Sequence, residues 1–226
     1  MKLSRLWSSF EPHREAGRLI VVEGSPGAGK TSAIVSVGRA TGSVVVPELY
    51  HLTDASVPSE ELPDHSAHWY IDAELARQGD IRRCLKAGLR VIQDRSVVST
   101  LAFAHATAID RRSCQRAERL IQRLVDGPKF LAPDTLVIMH VDVVVGLRRR
   151  RAFRQVAEYR QWFDEAFLHR LNTFYRVVVP QLLRCPMVEI DTSCEPPTVA
   201  NEALTRVVVT LNGSCRGGTD AAQRKS

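Results

Sequence analysis

The sequence contains no apolar run long enough to span a bilayer, and Met1 to Phe10 has too little apolar character for a secretory leader. The cytoplasm is therefore the expected compartment. Five cysteines (Cys84, Cys114, Cys185, Cys194 and Cys215), an odd number with no C-x-x-C spacing, argue against a disulfide framework and read as reduced thiols. His65 and His68 have a metal-like spacing, but no cysteine or second histidine pair completes a zinc set. An Asn-Lys-x-Asp base-reading segment is missing, which disfavours GTPase signalling. Neither VIQD nor IMHVD ends in the paired acids of a motor-type ATPase strand. The net charge of +6 resides in local clusters such as Arg148 to Arg151 and in the tail. Without an aromatic-basic reader surface, nucleic acid is not the expected partner.

What is present suits one α/β domain: 226 residues with 44% apolar content. Leu19 to Thr31, LIVVEGSPGAGKT, holds the spacing G-x-x-x-x-G-K-[ST] directly after an apolar β-branched run. A strand delivers such a loop, its glycines let backbone N–H groups turn inward, and the following helix offers its positive dipole end to a polyphosphate. Gly24, Ser25, Gly27, Ala28, Gly29, Lys30, Thr31 and Ser32 form the expected phosphate-binding set. Lys30 is placed at the β/γ-phosphates and Thr31 at Mg²⁺.

The pattern alternates strand and helix five times. Strands are expected at Arg18–Glu23, Ser43–Pro47, Leu89–Asp94, Thr135–Asp142 and Met187–Asp191. Helices are expected from Lys30 to about Ala40, Ser66 to Ala87, through Leu101 and Phe103, over 109–126, from Phe153 to Pro180 and from Pro197 to Leu211. The fold class that follows is α/β, a P-loop NTPase with a five-stranded parallel sheet in a three-layer α-β-α arrangement. Residues 1–17 read as a short extension, 18–211 as the domain, 49–65 as a long loop beside the site and 212–226 as a disordered tail.

In open parallel sheets ligands bind at the carboxyl ends of the strands, where Glu23, Glu48, Asp94, Arg95 and Asp142 gather. Phosphoryl transfer needs a phosphate cradle, a metal site, an acceptor-orienting group and cations over the migrating group. Glu48 is the carboxylate expected to orient an acceptor hydroxyl or take its proton. Asp94 is expected to hold a Mg²⁺-bound water beside Thr31, and Arg95 to bind acceptor or phosphoryl oxygens. Asp142 reads as the start of a turn. Arg148 to Arg151 form a candidate lid around 147–155, with Arg149 and Arg151 as the catalytic candidates. Tyr70, Glu74 and Arg77 share a helix face, which lines an acceptor pocket if it looks into the cleft and is otherwise a solvated ridge.

From about Leu19 to Val208 the chain resembles the thymidylate kinase and deoxynucleoside kinase group. The features that carry the resemblance are GSPGAGKT, Pro47-Glu48, VIQDRSVVSTLAFA, LRRRRAFR and MVEIDTS. The resemblance implies ATP and Mg²⁺ as co-substrates, Arg95 on the acceptor side and Arg77 near an acceptor base. It also implies Phe103 where related enzymes often carry a tyrosine, and a possible homodimer. Pro26 replaces the acidic residue that thymidylate kinases usually keep in the loop, and Ala73 replaces an aromatic one turn before Arg77. These departures disfavour ordinary dTMP; a free hydroxyl on a nucleoside, a related metabolite or an antibiotic-like acceptor fits Glu48 better, and a nucleoside monophosphate neutralised by Arg95 and Arg77 is the alternative acceptor. A nucleotide-binding regulator or adaptor without efficient transfer is the alternative from another class.

Overall fold

β1 (Arg18–Gly24) is buried on both faces, as the central strand of a parallel sheet must be, with Leu19, Ile20 and Val22 fully enclosed. The computed structural model describes residues 17–49, 66–107, 115, 119, 130–151, 162–183, 185–194 and 197–213. Nearly all of the helix expected over 109–126, residues 152–155 of the candidate lid, most of the 49–65 loop, most of the N-terminal extension and nearly all of the tail lie outside them.

After β1 come α1 (Lys30–Thr41), β2 (Val44–Val46), α2 (Ser66–Lys86), β3 (Arg90–Asp94), α3 (Val97–Thr107), β4 (Thr135–His140) and α4 (Val143–Arg149). The chain continues through α5 (Glu165–Thr173), a π-helical turn (Phe174–Val178), α6 (Val179–Leu182), β5 (Met187–Asp191) and α7 (Pro197–Gly213). All five strands are parallel in the order β2-β3-β1-β4-β5. β1 pairs with β3 through Leu19 opposite Val91 and with β4 through Val22 opposite Val137. The chain runs out to one edge for β2, returns through β3 and crosses β1 to begin β4. Loops leaving β1 and β3 therefore meet at one end of the sheet.

Successive side chains on a strand point to opposite faces, so each strand feeds two cores. Leu19, Val21, Leu136 and Ile138 pack with Ile81, Leu85, Leu101, Phe167 and Leu171 from α2, α3 and α5. Ile20, Val22, Val137 and Met139 pack with Ile34, Val37, Leu204 and Val208 from α1 and α7. The result is the expected three-layer α/β arrangement. Among the described residues no helix is long and apolar enough to cross a membrane.

Element ends follow local chemistry. α1 stops at Gly42 in the left-handed region (φ 65°), whose N–H bonds the Gly38 carbonyl. Asp142 caps α4 by accepting from the Val144 and Val145 amides, the structural role its sequence position suggested. α2 runs through Gly79 unbroken.

One helix was expected from Phe153 to Pro180; the described part is divided. Trp162 and Phe163 form a short 3₁₀ turn, Asp164 caps a new helix by accepting from Phe167 N, and the helix widens into the π turn before Pro180. Pro180 has no N–H for a carbonyl four residues back and its ring crowds that carbonyl, so the chain loosens there. The extra residue in the turn brings Tyr175 into the core beside Phe174.

Candidate active site

Two glycines of the loop after β1 are required by close approaches. Gly24 has φ 124°, and a Cβ there would lie 2.1 Å from the Met139 carbonyl oxygen of β4. Gly27 has φ 82°, and a Cβ there would lie 2.8 Å from the Gly146 carbonyl oxygen in α4. The loop is thus held between β4 and α4, and Ser25 N donates to Met139 O at 3.1 Å. Ser25 Oγ also donates to Asn172 Oδ1, while Asn172 Nδ2 donates to Val141 O at 3.2 Å. The N-terminus of α1 opens at Lys30 against this loop.

Lys30 is buried, and its Nζ donates to the carbonyls of Gly24 (3.0 Å) and Ser25 (2.8 Å). Arg95 Nη1 approaches the same Gly24 carbonyl at 3.3 Å. Burial, with the nearby Arg95 guanidinium adding to it, lowers the Lys30 pKa to about 7 against the pull of Asp94, Glu48 and Glu23. The loop lysine is therefore tuned close to neutrality.

Thr31 Oγ1 donates to Asp94 Oδ2 at 2.7 Å, while Asp94 Oδ1 is buried without a hydrogen-bond partner. Arg95 Nε lies 2.9 Å from Glu48 Oε1, joining the ends of β2 and β3. Burial opposes the Arg95 charge, but the carboxylates of Glu48, Glu23 and Asp94 and the Tyr175 oxygen outweigh it and raise its pKa, so it stays cationic. Arg95 is also the one non-glycine residue with positive φ, at 60°, among the described residues. Strain of this kind persists where neighbours over-determine the backbone, and such places concentrate at functional sites.

Beneath Arg95 lies a network that the sequence did not disclose. Glu23 is fully buried and accepts from Ser96 N (2.7 Å), Ser96 Oγ (2.8 Å), Ser99 Oγ (2.5 Å) and Tyr175 OH (3.0 Å). Burial, then the Glu23 charge, pushes the Tyr175 phenol well above its usual range, keeping it a donor. A glutamate ending an otherwise apolar strand was a readable signal for part of this network. Tyr175 had only Pro180 to announce it.

The remaining expected site residues are placed unevenly. Ala28 is buried under the loop, and Gly29 and Ser32 are exposed at its rim. Arg149 donates to Thr192 O (2.7 Å), Thr192 Oγ1 (3.3 Å) and Gly27 O (3.4 Å), so the first lid candidate reaches the phosphate loop. Arg151 is exposed beyond the end of α4, and Arg150 donates to Trp162 O at 3.0 Å. The side chains of His68 and Tyr70, and all of His65, lie outside the described residues.

Phe103, expected at the acceptor, is half-buried, and its ring packs against Trp162 (5.5 Å) and Phe167 (5.8 Å), where α3 joins α5. Glu74 and Arg77 are neither a solvated ridge nor an open pocket lining. They are 1% and 4% exposed and bound to each other, with every Arg77 donor directed at a protein acceptor.

No protein-family model matches the chain. Among curated proteins it is similar to a thymidylate kinase from Thermomicrobium roseum, 28% identical over 191 residues, covering 83% of this chain and 80% of that protein. Among solved structures it is similar in fold to deoxyadenosine kinase from M. mycoides. The complex with the products dCMP and a flexible dCDP has a TM-score of 0.56 at 16% identity, covering 85% of this chain and 99% of that one. The dATP complex has a TM-score of 0.57 at 16% identity, covering 86% and 99%.

Proposed function

We propose that this chain, a divergent thymidylate kinase-like P-loop kinase, transfers a phosphoryl group from ATP to a small-molecule acceptor, a nucleoside or nucleoside-like hydroxyl. The observation that carries the reading is the junction of Thr31, Asp94, Arg95 and Glu48 across the mouth of the phosphate loop. A loop alone binds polyphosphate; a cation and a carboxylate from other strand ends opposite it supply the acceptor side.

In this reading Lys30 and the loop amides receive the phosphates, and binding a polyanion restores the lysine's charge. The oxygen donors of Thr31 and Asp94 suit Mg²⁺, and the partnerless buried Asp94 Oδ1 provides a further acceptor for its hydration shell. Mg²⁺ bound there supplies neutralisation of the phosphate charge. Glu48 orients the acceptor hydroxyl and takes its proton, with Arg95 fixing that carboxylate. Arg149, already at the Gly27 carbonyl, covers the phosphates, and Arg151, two residues further along and exposed beyond α4, is the second lid cation. A cytoplasmic location and a homodimer formed through helices beside the sheet belong to the same proposal; sedimentation of the purified protein tests the dimer.

The similarity to a thymidylate kinase favours a second reading, a nucleoside monophosphate as acceptor, with Arg95 neutralising its phosphate. Incubating protein, ATP and Mg²⁺ with nucleosides, nucleoside monophosphates and nucleoside- or aminoglycoside-type antibiotics, and weighing the products, separates the two. Phosphorylated nucleoside or antibiotic supports the first reading, and diphosphate product the second. Nucleotide binding without turnover over the whole panel, together with a stable protein partner, would point instead to a regulator or adaptor.

A further inference from the structure

We infer that Arg77 is a positioning residue that fixes the backbone of the acceptor-side groups, and that it does not read the acceptor itself. This rests on the kinase reading of the same site. A guanidinium has five N–H donors in a rigid plane, and all five are accounted for. Nε and one Nη2 hydrogen go to Glu74 Oε2, the other Nη2 hydrogen goes to Arg95 O at 2.7 Å, and Nη1 gives to Pro47 O (2.9 Å) and Asp94 O (3.1 Å). No donor is left for a base or a sugar.

The three carbonyls are not a random selection. They belong to the peptide links Pro47-Glu48, Asp94-Arg95 and Arg95-Ser96, so one side chain from α2 ties the ends of β2 and β3 beside the acceptor-side pair Glu48 and Arg95 and beside Asp94. Arg95 is the residue in the left-handed region, and the backbone on both sides of it is also held: Arg95 N donates to Val22 O at 3.0 Å and Ser96 N to Glu23 Oε1 at 2.7 Å. Gln93 Nε2 adds a second donor to Arg95 O at 2.9 Å.

Glu74 holds the clamp. Its Oε2 takes two Arg77 donors, and its Oε1 accepts from Gln78 Nε2 (3.1 Å) and Gln93 Nε2 (2.9 Å). A lysine at position 77 has three donors on a point charge and cannot replace the fork.

The test compares Arg77→Lys and Glu74→Gln with the wild-type protein in steady-state transfer and in amide hydrogen exchange. Misplacing Arg95 and Glu48 together is expected to lower kcat about a hundredfold for every acceptor that the wild type uses. The acceptor KM is expected to stay within about threefold, with the ranking of acceptors unchanged. Exchange at residues 94–97 is expected to speed up while that of β1 and β4 holds. A raised KM with kcat retained, or an altered acceptor ranking, would overturn the inference and make Arg77 a reader. Glu74→Gln is the milder change and decides the matter if Arg77→Lys does not fold; wild-type kcat in it would also overturn the inference. Should the wild type transfer phosphate to nothing, the kinase reading fails, and exchange alone decides. Faster exchange at 94–97 then supports the clamp, and unchanged exchange removes it.

Discussion

Tyr175→Phe removes a single oxygen from a place where its energetic role can be worked out. The side chain is fully buried, and its hydroxyl lies 3.0 Å from Glu23 Oε2 and 3.1 Å from Ser99 Oγ. Each hydroxyl has one proton. The Ser99 proton is directed to Glu23 Oε2 at 2.5 Å, and Ser99 Oγ accepts from Arg95 Nη1 at 3.0 Å. The Tyr175 proton therefore also goes to Glu23, and the Ser99–Tyr175 approach adds no further bond. The substitution deletes one hydrogen bond to a charged acceptor and strands no donor, since Glu23 keeps Ser96 and Ser99. A bond of that kind contributes about 1.5–3 kcal/mol. At a urea dependence of about 2 kcal/mol per molar, the unfolding midpoint should fall by about 1 M with the slope unchanged. Because the Tyr175 hydroxyl meets Glu23 and Ser99, which in turn support Arg95, and is one step removed from the proposed reacting groups, turnover of the folded variant should change much less than its stability. A loss below about 0.5 kcal/mol would mean that the π turn does not hold the phenol on Glu23 in solution.

Other consequences are equally concrete. With its folded pKa lowered to about 7, Lys30 is mostly neutral at pH 8, so binding of a nucleoside triphosphate should take up a proton there and not at pH 6; calorimetry in two buffers of different ionisation enthalpy measures it, and Lys30→Met should abolish it. The same shift has a sign for stability: between about pH 7 and the unfolded value near 10.5 the unfolded chain binds more protons, so Lys30 makes stability rise with pH across that window, a slope that urea titrations of wild type and Lys30→Met compare. Thr31→Ser should keep most activity, whereas Thr31→Ala and Asp94→Asn should lose about 10–100-fold in coupled ATP turnover, because the Thr31–Asp94 bond is lost or weakened. Gly24→Ala combines positive φ with a Cβ 2.1 Å from Met139 O, and should cost about 3 kcal/mol or more in thermal or urea unfolding.

The centre of the sheet was legible because β1 and β4 are short, β-branched and buried on both faces, which leaves an uninterrupted apolar signal in LIVV and LVIM. The phosphate loop was legible because its spacing is imposed by backbone geometry. Asp94, Arg95 and Glu48 could be picked out as polar residues at strand ends, and the fold brings them together there. The Glu23 network was not, because its members lie on β1, the β3–α3 connection, α3 and the π turn and meet only after packing. Arg77 and Glu74 misled for a related reason: charges at helical spacing usually mean a solvated face, and only the surrounding carbonyls show that this pair is buried. The packing of Phe103 on Trp162 and Phe167 was not legible either, because those residues are distant in sequence.

The most direct test of the whole account is a mass-resolved transfer assay with ATP and Mg²⁺ over a panel of nucleosides, nucleoside monophosphates and related antibiotics, run on the wild type, Lys30→Ala and Asp94→Asn. The wild type should yield an acceptor heavier by one phosphoryl group, and both variants should yield strongly diminished product. Product formed undiminished by Lys30→Ala, or bound nucleotide with no product from any acceptor, would contradict the kinase reading.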